Sequence, residues 1–315
     1  MRRSILPISL ILLAILSLFI GVKSIPITHL FDLTHQEQLV LWSTRVPRTI
    51  SLIIAGATVS VSGLIMQHLT QNRFVSPTTA GTMDSARLGM LVAMLFFSDS
   101  SILMKSLIAF LFAFLGTVLF IRLIRLLPGK NQLMVPLVGV MFGSVIGSIV
   151  TFFAYQYQLV QNMTSWLQGS FSTITKGSYE MIYISVPLLI VCYLYAYKFT
   201  IVGMGEEMAT SIGLKYKQIH LFGLLLIAIS SSTILVTIGG LPFVGVIIPN
   251  IVSMMYGDHM KHTLVLTALS GSVFLVLCDI LSRMIYPPYE IPVSLIVGIL
   301  GSIIFIYLLV RGDAK

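Results

Sequence analysis

The sequence predicts an all-α, polytopic integral membrane protein with about ten transmembrane helices. Three observations carry that prediction. Apolar and aromatic residues of the Ala, Val, Ile, Leu, Met, Phe, Trp, Tyr and Cys set make up 57% of the 315 residues, and charged residues only 10%. A soluble domain carries roughly a quarter charged residues. Mean hydropathy is +0.99. The apolar residues also fall into ten runs, at 4–22, 49–69, 86–97, 101–121, 133–155, 181–199, 219–240, 242–256, 263–286 and 292–310. A span takes roughly 20 such residues, so ten would use about 200.

The first run follows a basic start, MRRSIL, as a secretory signal would. It lacks a small-x-small cleavage site and is followed by Lys23, so it reads as a retained first span. The runs at 86–97 and 242–256 are short for a full crossing and are expected to tilt or to be partly re-entrant. Placing Arg2 and Arg3 inside and alternating spans puts thirteen Lys and Arg residues inside, Arg73 and Arg87 among them, and six outside. That positive-inside bias sets the orientation and places both termini in the cytoplasm. The two long cytoplasmic connections are then about 70–85 and 200–218. No repeat, Pro/Ser-rich linker or low-complexity tract divides the chain, so 1–315 is read as a single domain.

The net charge of +8 therefore speaks to topology, not to nucleic acid. Cys192 and Cys278 lie in apolar runs and form no metal or disulfide pattern. No catalytic residues are predicted. A nucleotide-binding GxxxxGK[ST] loop is absent, since Gly129-Lys130 is followed by Asn131 and lacks the upstream glycine. If ATP powers transport, another polypeptide hydrolyses it. His259 and His262 have HxxH spacing without further ligands nearby and read as a polar loop. Asp279 is the one acid well inside an apolar run. It is either an ion or proton site or the partner of Arg283, four residues on along the same helical face.

Two stretches interrupt the apolar pattern. In GMGEEMATSIGLKYKQ, 203–218, acids come early and bases late, which suits a short helix and its dipole, with Gly213 as its stop. In IGGLPFVGVIIPN, 238–250, Gly239, Gly240, Pro242, Gly245 and Pro249 are too many breakers for one continuous helix. Irregular backbone at membrane depth survives where protein buries it or it lines a cavity. A turn between two helices at a transport pathway, or a plain tight reversal, would account for it.

Taken together, five stretches in order resemble the FecCD-type permeases, the membrane subunits of type II ABC importers for iron–siderophore, haem and cobalamin. They are RVPRTISLIIAGATVSVSGLIMQ (45–67), NRFVSPTTAG (72–81), GEEMATSIG (205–213), GGLPFVGVIIPNI (239–251) and YEIPVSLIVGILG (289–301). The chain departs from the family pattern at Arg73, Met83, Asp84, Ser85, Thr210, Asn250, Ser294 and Ile303.

The resemblance implies a type II importer permease fold in a bacterial cell (inner) membrane, carrying an iron–siderophore complex. Haem or cobalamin is the alternative cargo. An ion-coupled secondary transporter using Asp279 and a membrane-anchored interaction subunit are the competing classes. The implied partners are a second permease subunit, identical or related, two cytoplasmic ATPase subunits that hold ATP and Mg²⁺, and an extracytoplasmic binding protein. The permease itself is expected to bind no cofactor and no metal. Gly205, Glu206, Glu207, Ala209, Ser211 and Gly213 would couple to the ATPase, the small residues permitting its close approach. Arg45, Arg48 and Arg283 would dock the binding protein's carboxylates. Arg45 and Arg48, three apart across Pro47, are expected to project from one helix start.

Overall fold

The computed structural model describes residues 2–21, 34–126, 134–177 and 179–312. Lys23, Gly129, Lys130 and Asn131, used above, lie outside them.

Ten helices occupy the ten predicted runs. They are α1 (Arg2–Phe19), α3 (Val46–Thr70), α4 (Thr82–Phe96), α5 (Ile102–Leu126), α6 (Met134–Gln156), α8 (Ser185–Gly203), α10 (Tyr216–Thr237), α11 (Val244–Tyr256), α12 (Met260–Met284) and α13 (Val293–Gly312). Among the described residues, three short α-helices stand between them: α2 (His35–Val40), α7 (Val160–Leu167) and α9 (Glu206–Ser211). Among the described residues, six segments are long and apolar enough to cross a membrane by themselves. The pieces at Ile5–Phe19, Val244–Tyr256 and Val293–Leu308 are apolar but shorter. At about 1.5 Å per residue, the 13-residue α11 reaches only about 20 Å, less than the roughly 30 Å hydrocarbon core. The two helices expected to be short, α4 and α11, are so because irregular backbone precedes both.

α3 is the axis of the bundle. Eighteen of its 25 residues are buried, and it packs on α8, α10, α11 and α12. Small residues permit this. A methyl on Gly56 would lie 2.4 Å from the Gly271 carbonyl of α12, and one on Gly63 would lie 1.9 Å from the Gly245 carbonyl of α11. Between membrane helices, where apolar burial gives no net drive, such close backbone approach supplies the dispersion contact. α5 and α6 sit outside. The stripe Leu107, Leu111, Leu115 and Leu119 on α5 is half exposed and follows the i, i+4 spacing of one helical face, as expected of a lipid-facing surface.

α3 does not begin at Arg45. Thr34 caps α2 by a reciprocal capping box with Glu37, and a π-helical turn, Leu41–Arg45, carries the helix on into α3. The result is one 36-residue helix, His35–Thr70. Arg45 and Arg48 thus project from mid-helix, and the expectation of a shared helix start is corrected.

Residues 71–81 form no solvent loop either. Val75, Ser76 and Ala80 are fully buried. The segment runs back into the bundle, with Ser76 against Gly245 of α11. Its polar groups are satisfied locally: Thr79 Oγ1 accepts from the Ser76 amide at 2.9 Å, and the Ser76 and Thr78 hydroxyls are 2.8 Å apart. α4 therefore starts inside the bundle. Arg87, counted above among the inside cations, stands on α4 beside the turn at Gly240–Pro242; without it the charge bias is twelve against six.

Candidate functional site

Three regions gather the residues singled out in the sequence. The first lies at the Arg48 end of α3. Arg48 donates to Asp279 Oδ1 from Nε at 3.0 Å and from Nη2 at 2.7 Å, and to Glu290 Oε2 from Nη1 at 2.7 Å. Arg283 Nη2 lies 2.5 Å from Asp279 Oδ2. Arg283 also donates to the Ser17 carbonyl at 2.9 Å, to Ser17 Oγ at 2.6 Å and to the Ile20 carbonyl of α1. Arg45 donates to the Leu18 carbonyl. Three guanidiniums and two carboxylates thus stitch α1, α3, α12 and the start of α13 together around a cleft of about 370 Å³.

This geometry changes the reading of the arginines. The Arg283 side chain is 3% exposed and that of Arg48 11%; Arg45 is buried. Arg283 clamps α1 to α12 and, with Arg45, Arg48 and Glu290, lines the cleft. Arg48 is already engaged by Glu290, at the cleft rim. Asp279 does pair with Arg283, as its i, i+4 spacing suggests, but its firmer partner is Arg48. That pairing spans 231 residues of sequence and left no local signal.

The second region is a cleft of about 570 Å³ toward the same end. The predicted breakers build it. α10 stops at Thr237, Gly239 takes a positive φ of 103°, and Gly240 bridges to Gln168. Phe243, at φ 63°, caps α11. Gly240 and Pro242 line the cleft together with Thr78, Asp84, Arg87 and Ser294. Gly245 and Pro249 do not line it. Gly245 packs on the backbone of α3, and Pro249 is buried within α11. Three departures from the family pattern, Met83, Asp84 and Ser294, meet in this lining. Arg87 Nη1 donates to Asp84 Oδ1 at 3.0 Å.

The third region is the opposite end of α3. A groove of about 490 Å³ is lined by His68, Gln71, Arg73, Met204, Asp258 and His259, among others. Arg73 pairs with Asp258 at 2.6 Å, both exposed. Asn250 donates to the Arg73 carbonyl at 2.7 Å, which fixes α11 to the start of the buried segment. The His259 and His262 rings lie 4.9 Å apart, tilted by 38°, and the described residues contain no group of three or more metal-ligating side chains. Beside the groove, α9 starts after Gly205, at φ 111°, and Gly213 follows it at φ 84°. Both glycines hold backbone that other residues rarely adopt. Glu206, Glu207 and Ser211 are exposed. Ala209 is fully buried, and α9 packs on α8 and α10. Ala209 therefore seats α9 on its own chain, and its smallness serves that packing rather than a partner's approach. The outward apolar residues are Met204, Met208 and Ile212, at 62, 48 and 59% exposure.

A family model described as the FecCD transport family matches residues 9–311. The chain is 50% identical to the petrobactin import system permease protein YclN of Bacillus subtilis, over all of this chain and 99% of that one. It is 40% identical to the petrobactin import system permease protein FatD of Bacillus anthracis, over 96% and 89% of the two chains. It is 38% identical to the ferric-anguibactin transport system permease protein FatD of Vibrio anguillarum, over 94% of each. A solved structure, an inward-facing conformation of a metal-chelate type ABC transporter, has the same fold. Its TM-score is 0.82 at 23% identity, with 97% of both chains covered.

Proposed function

The chain belongs to the FecCD transport family, and from that premise we propose that it is the permease subunit of an ATP-driven importer of an iron–siderophore complex of the petrobactin class. The observation that carries the reading is 50% identity, end to end, with a petrobactin permease. The 570 Å³ cleft between helix-breaking turns supports it, being within the size range of small-molecule sites. Haem and cobalamin remain cargoes of other family branches; relatives nearer in sequence carry siderophore names.

The permease does no bond-making chemistry in this reading. Two permease subunits enclose the pathway in a bacterial cell membrane, both termini in the cytoplasm. Two ATPase subunits supply the energy, and an extracytoplasmic binding protein delivers cargo at the Arg48 end. Closing of the ATPases would push on α9 and tip α8 and α10 between two arrangements. The complete importer, reconstituted in vesicles with Mg-ATP, is expected to accumulate radiolabelled iron supplied as petrobactin on its binding protein. It is expected to ignore haem and cobalamin. Accumulation of either of those instead would overturn the cargo assignment.

The ATPase contact is assigned to the exposed side of α9: Glu206, Glu207, Met204, Met208 and Ile212. A buried apolar anchor dominates such interfaces. Met208→Asp is expected to weaken co-purification of the ATPase about tenfold or more, the size of a hot-spot loss. Glu206→Lys with Glu207→Lys should act in the same direction but less, because exposed charges are screened. Full ATPase recovery with Met208→Asp would place the contact elsewhere.

A further inference from the structure

We propose that Arg87 is a cargo-binding residue of the 570 Å³ cleft, taking an anionic oxygen group of the metal chelate, and that Asp84 is its resting counter-ion. The inference rests on the permease reading above and adds to it a site and a ligand chemistry. Arg87 and Asp84 are the two ionisable residues among those lining the cleft. Both are partly exposed into the cleft, at 30% and 19%, and an ionisable pair lining a cleft of a membrane permease is by default a candidate pathway site.

A purely structural account fits the pair poorly. Arg48 and Asp279 join α3 to α12, but Asp84 and Arg87 sit three residues apart on α4 itself, and such a pair adds little to a helix that is already packed. The pair holds no second helix by its hydrogen bonds. Asp84 rests over Gly143 of α6, where a methyl would meet Oδ2 at 2.4 Å, so its own position is fixed from behind.

Arg87 is under-used as a donor. One bond, from Nη1 to Asp84 at 3.0 Å, is formed. Its Nε is buried without a hydrogen-bond partner, while the side chain as a whole remains 30% exposed. A guanidinium carries five N–H donors in a planar fork that matches paired oxygens. Carboxylate or catecholate oxygens on a ferric chelate present such pairs. An arriving anion would take the free side of the fork while Asp84 keeps the other, so the charge is never left bare. Thr78 and Gln168 of the same wall offer neutral hydrogen bonds, which do not compete for charge.

The two carboxyl-facing roles predict opposite signs, and this makes the test sharp. With the complete importer in vesicles, uptake of iron-loaded petrobactin at sub-saturating cargo is divided by ATP hydrolysed. This ratio is expected to fall about tenfold or more in Arg87→Gln, the loss of a charge-assisted hydrogen bond. Arg87→Lys should recover part of it. Asp84→Asn should raise it, because the negative charge that repels an arriving anion is removed while Arg87 keeps its neutral partner. The double variant Asp84→Asn with Arg87→Gln restores a neutral, hydrogen-bonding pair and guards against misfolding. It is expected to stay as low as Arg87→Gln. Recovery of the double variant to the wild-type ratio, or equal losses in the two single variants, would mean that the pair is structural and would overturn the proposal. So would unchanged transport in Arg87→Gln. Failure of the wild-type importer to carry the chelate at all would overturn the permease reading itself, and this inference with it.

Discussion

Asp279→Ala is expected to abolish a stably assembled permease. Asp279 is fully buried and is the shared partner of Arg48 and Arg283. Removing it leaves two guanidiniums facing each other at the junction of α1, α3 and α12, with Glu290 as the nearby carboxylate. Breaking one side of a buried ion pair costs about 3–5 kcal/mol, because the remaining charge is uncompensated. That is a large share of the stability of a typical folded domain, about 5–15 kcal/mol. Asp279→Asn tests the charge apart from the shape. It keeps the volume and one acceptor, so a loss nearly as large isolates the electrostatic part. The measurement is the monodisperse fraction in detergent after a temperature ramp. A wild-type profile for both variants would show that the cluster does not hold the helices together.

Gly63→Ala should be almost as damaging, for a steric reason. The added methyl would sit 1.9 Å from the Gly245 carbonyl oxygen and 2.6 Å from its Cα. Both are backbone, so no side chain can swing aside. α3 and α11 have to separate, and that shift reaches the buried 71–81 segment through the Ser76 contact with Gly245. Overpacking of this kind costs roughly 1–3 kcal/mol where the surroundings relax, and more where they cannot. Gly147→Ala on α6 is the control. Nothing lies within 4 Å of its added methyl, and alanine is favoured over glycine in a helix by about 0.8–1.0 kcal/mol. It should be neutral or slightly stabilising. Equal thermal profiles for the two variants would contradict the close approach of α3 and α11.

Much of this architecture was legible in the sequence, because apolar runs of helix length have one cheap arrangement in lipid. Each of the ten runs became a helix. The break at 238–243 was legible for a similar reason: Gly239, Gly240 and Pro242 cannot continue a helix together. α2 was not legible. His35, Gln36, Glu37 and Gln38 look like loop, and only the Thr34–Glu37 capping box hints at a helix start. The burial of 71–81 was hidden by its polarity, since Ser76, Thr78 and Thr79 satisfy one another through geometry that spacing does not reveal. The orientation of Ala209 was also out of reach. A six-residue helix is too short for a periodic pattern to mark its inner face. Arg48, Asp279 and Glu290 meet only after folding brings together residues more than 230 positions apart. The Asp84–Arg87 pair had a visible i, i+3 spacing. Reading the stretch as a loop concealed its place in the cleft.

The 36-residue helix His35–Thr70 is about 54 Å long at about 1.5 Å per residue. It runs past the arginine cluster to the groove beside α9, so it is a strut through the molecule. A strut cannot absorb a push by bending one loop. Any change of length or twist has to be taken up at a joint, and the π turn at Leu41–Arg45 is where the hydrogen-bond register departs from that of the α-helix, the Val46 amide donating to the Leu41 carbonyl. A π turn holds one more residue than an α turn. Restoring the tighter register would rotate everything before it by about 100° and draw it along the axis by about 1.5 Å. Arg45, at the end of that turn, would leave the Leu18 carbonyl, while the Ser17–Thr49 hydroxyl contact beyond the turn would still hold α1 to the strut. The turn is a screw thread of one step, set beside the arginine cluster.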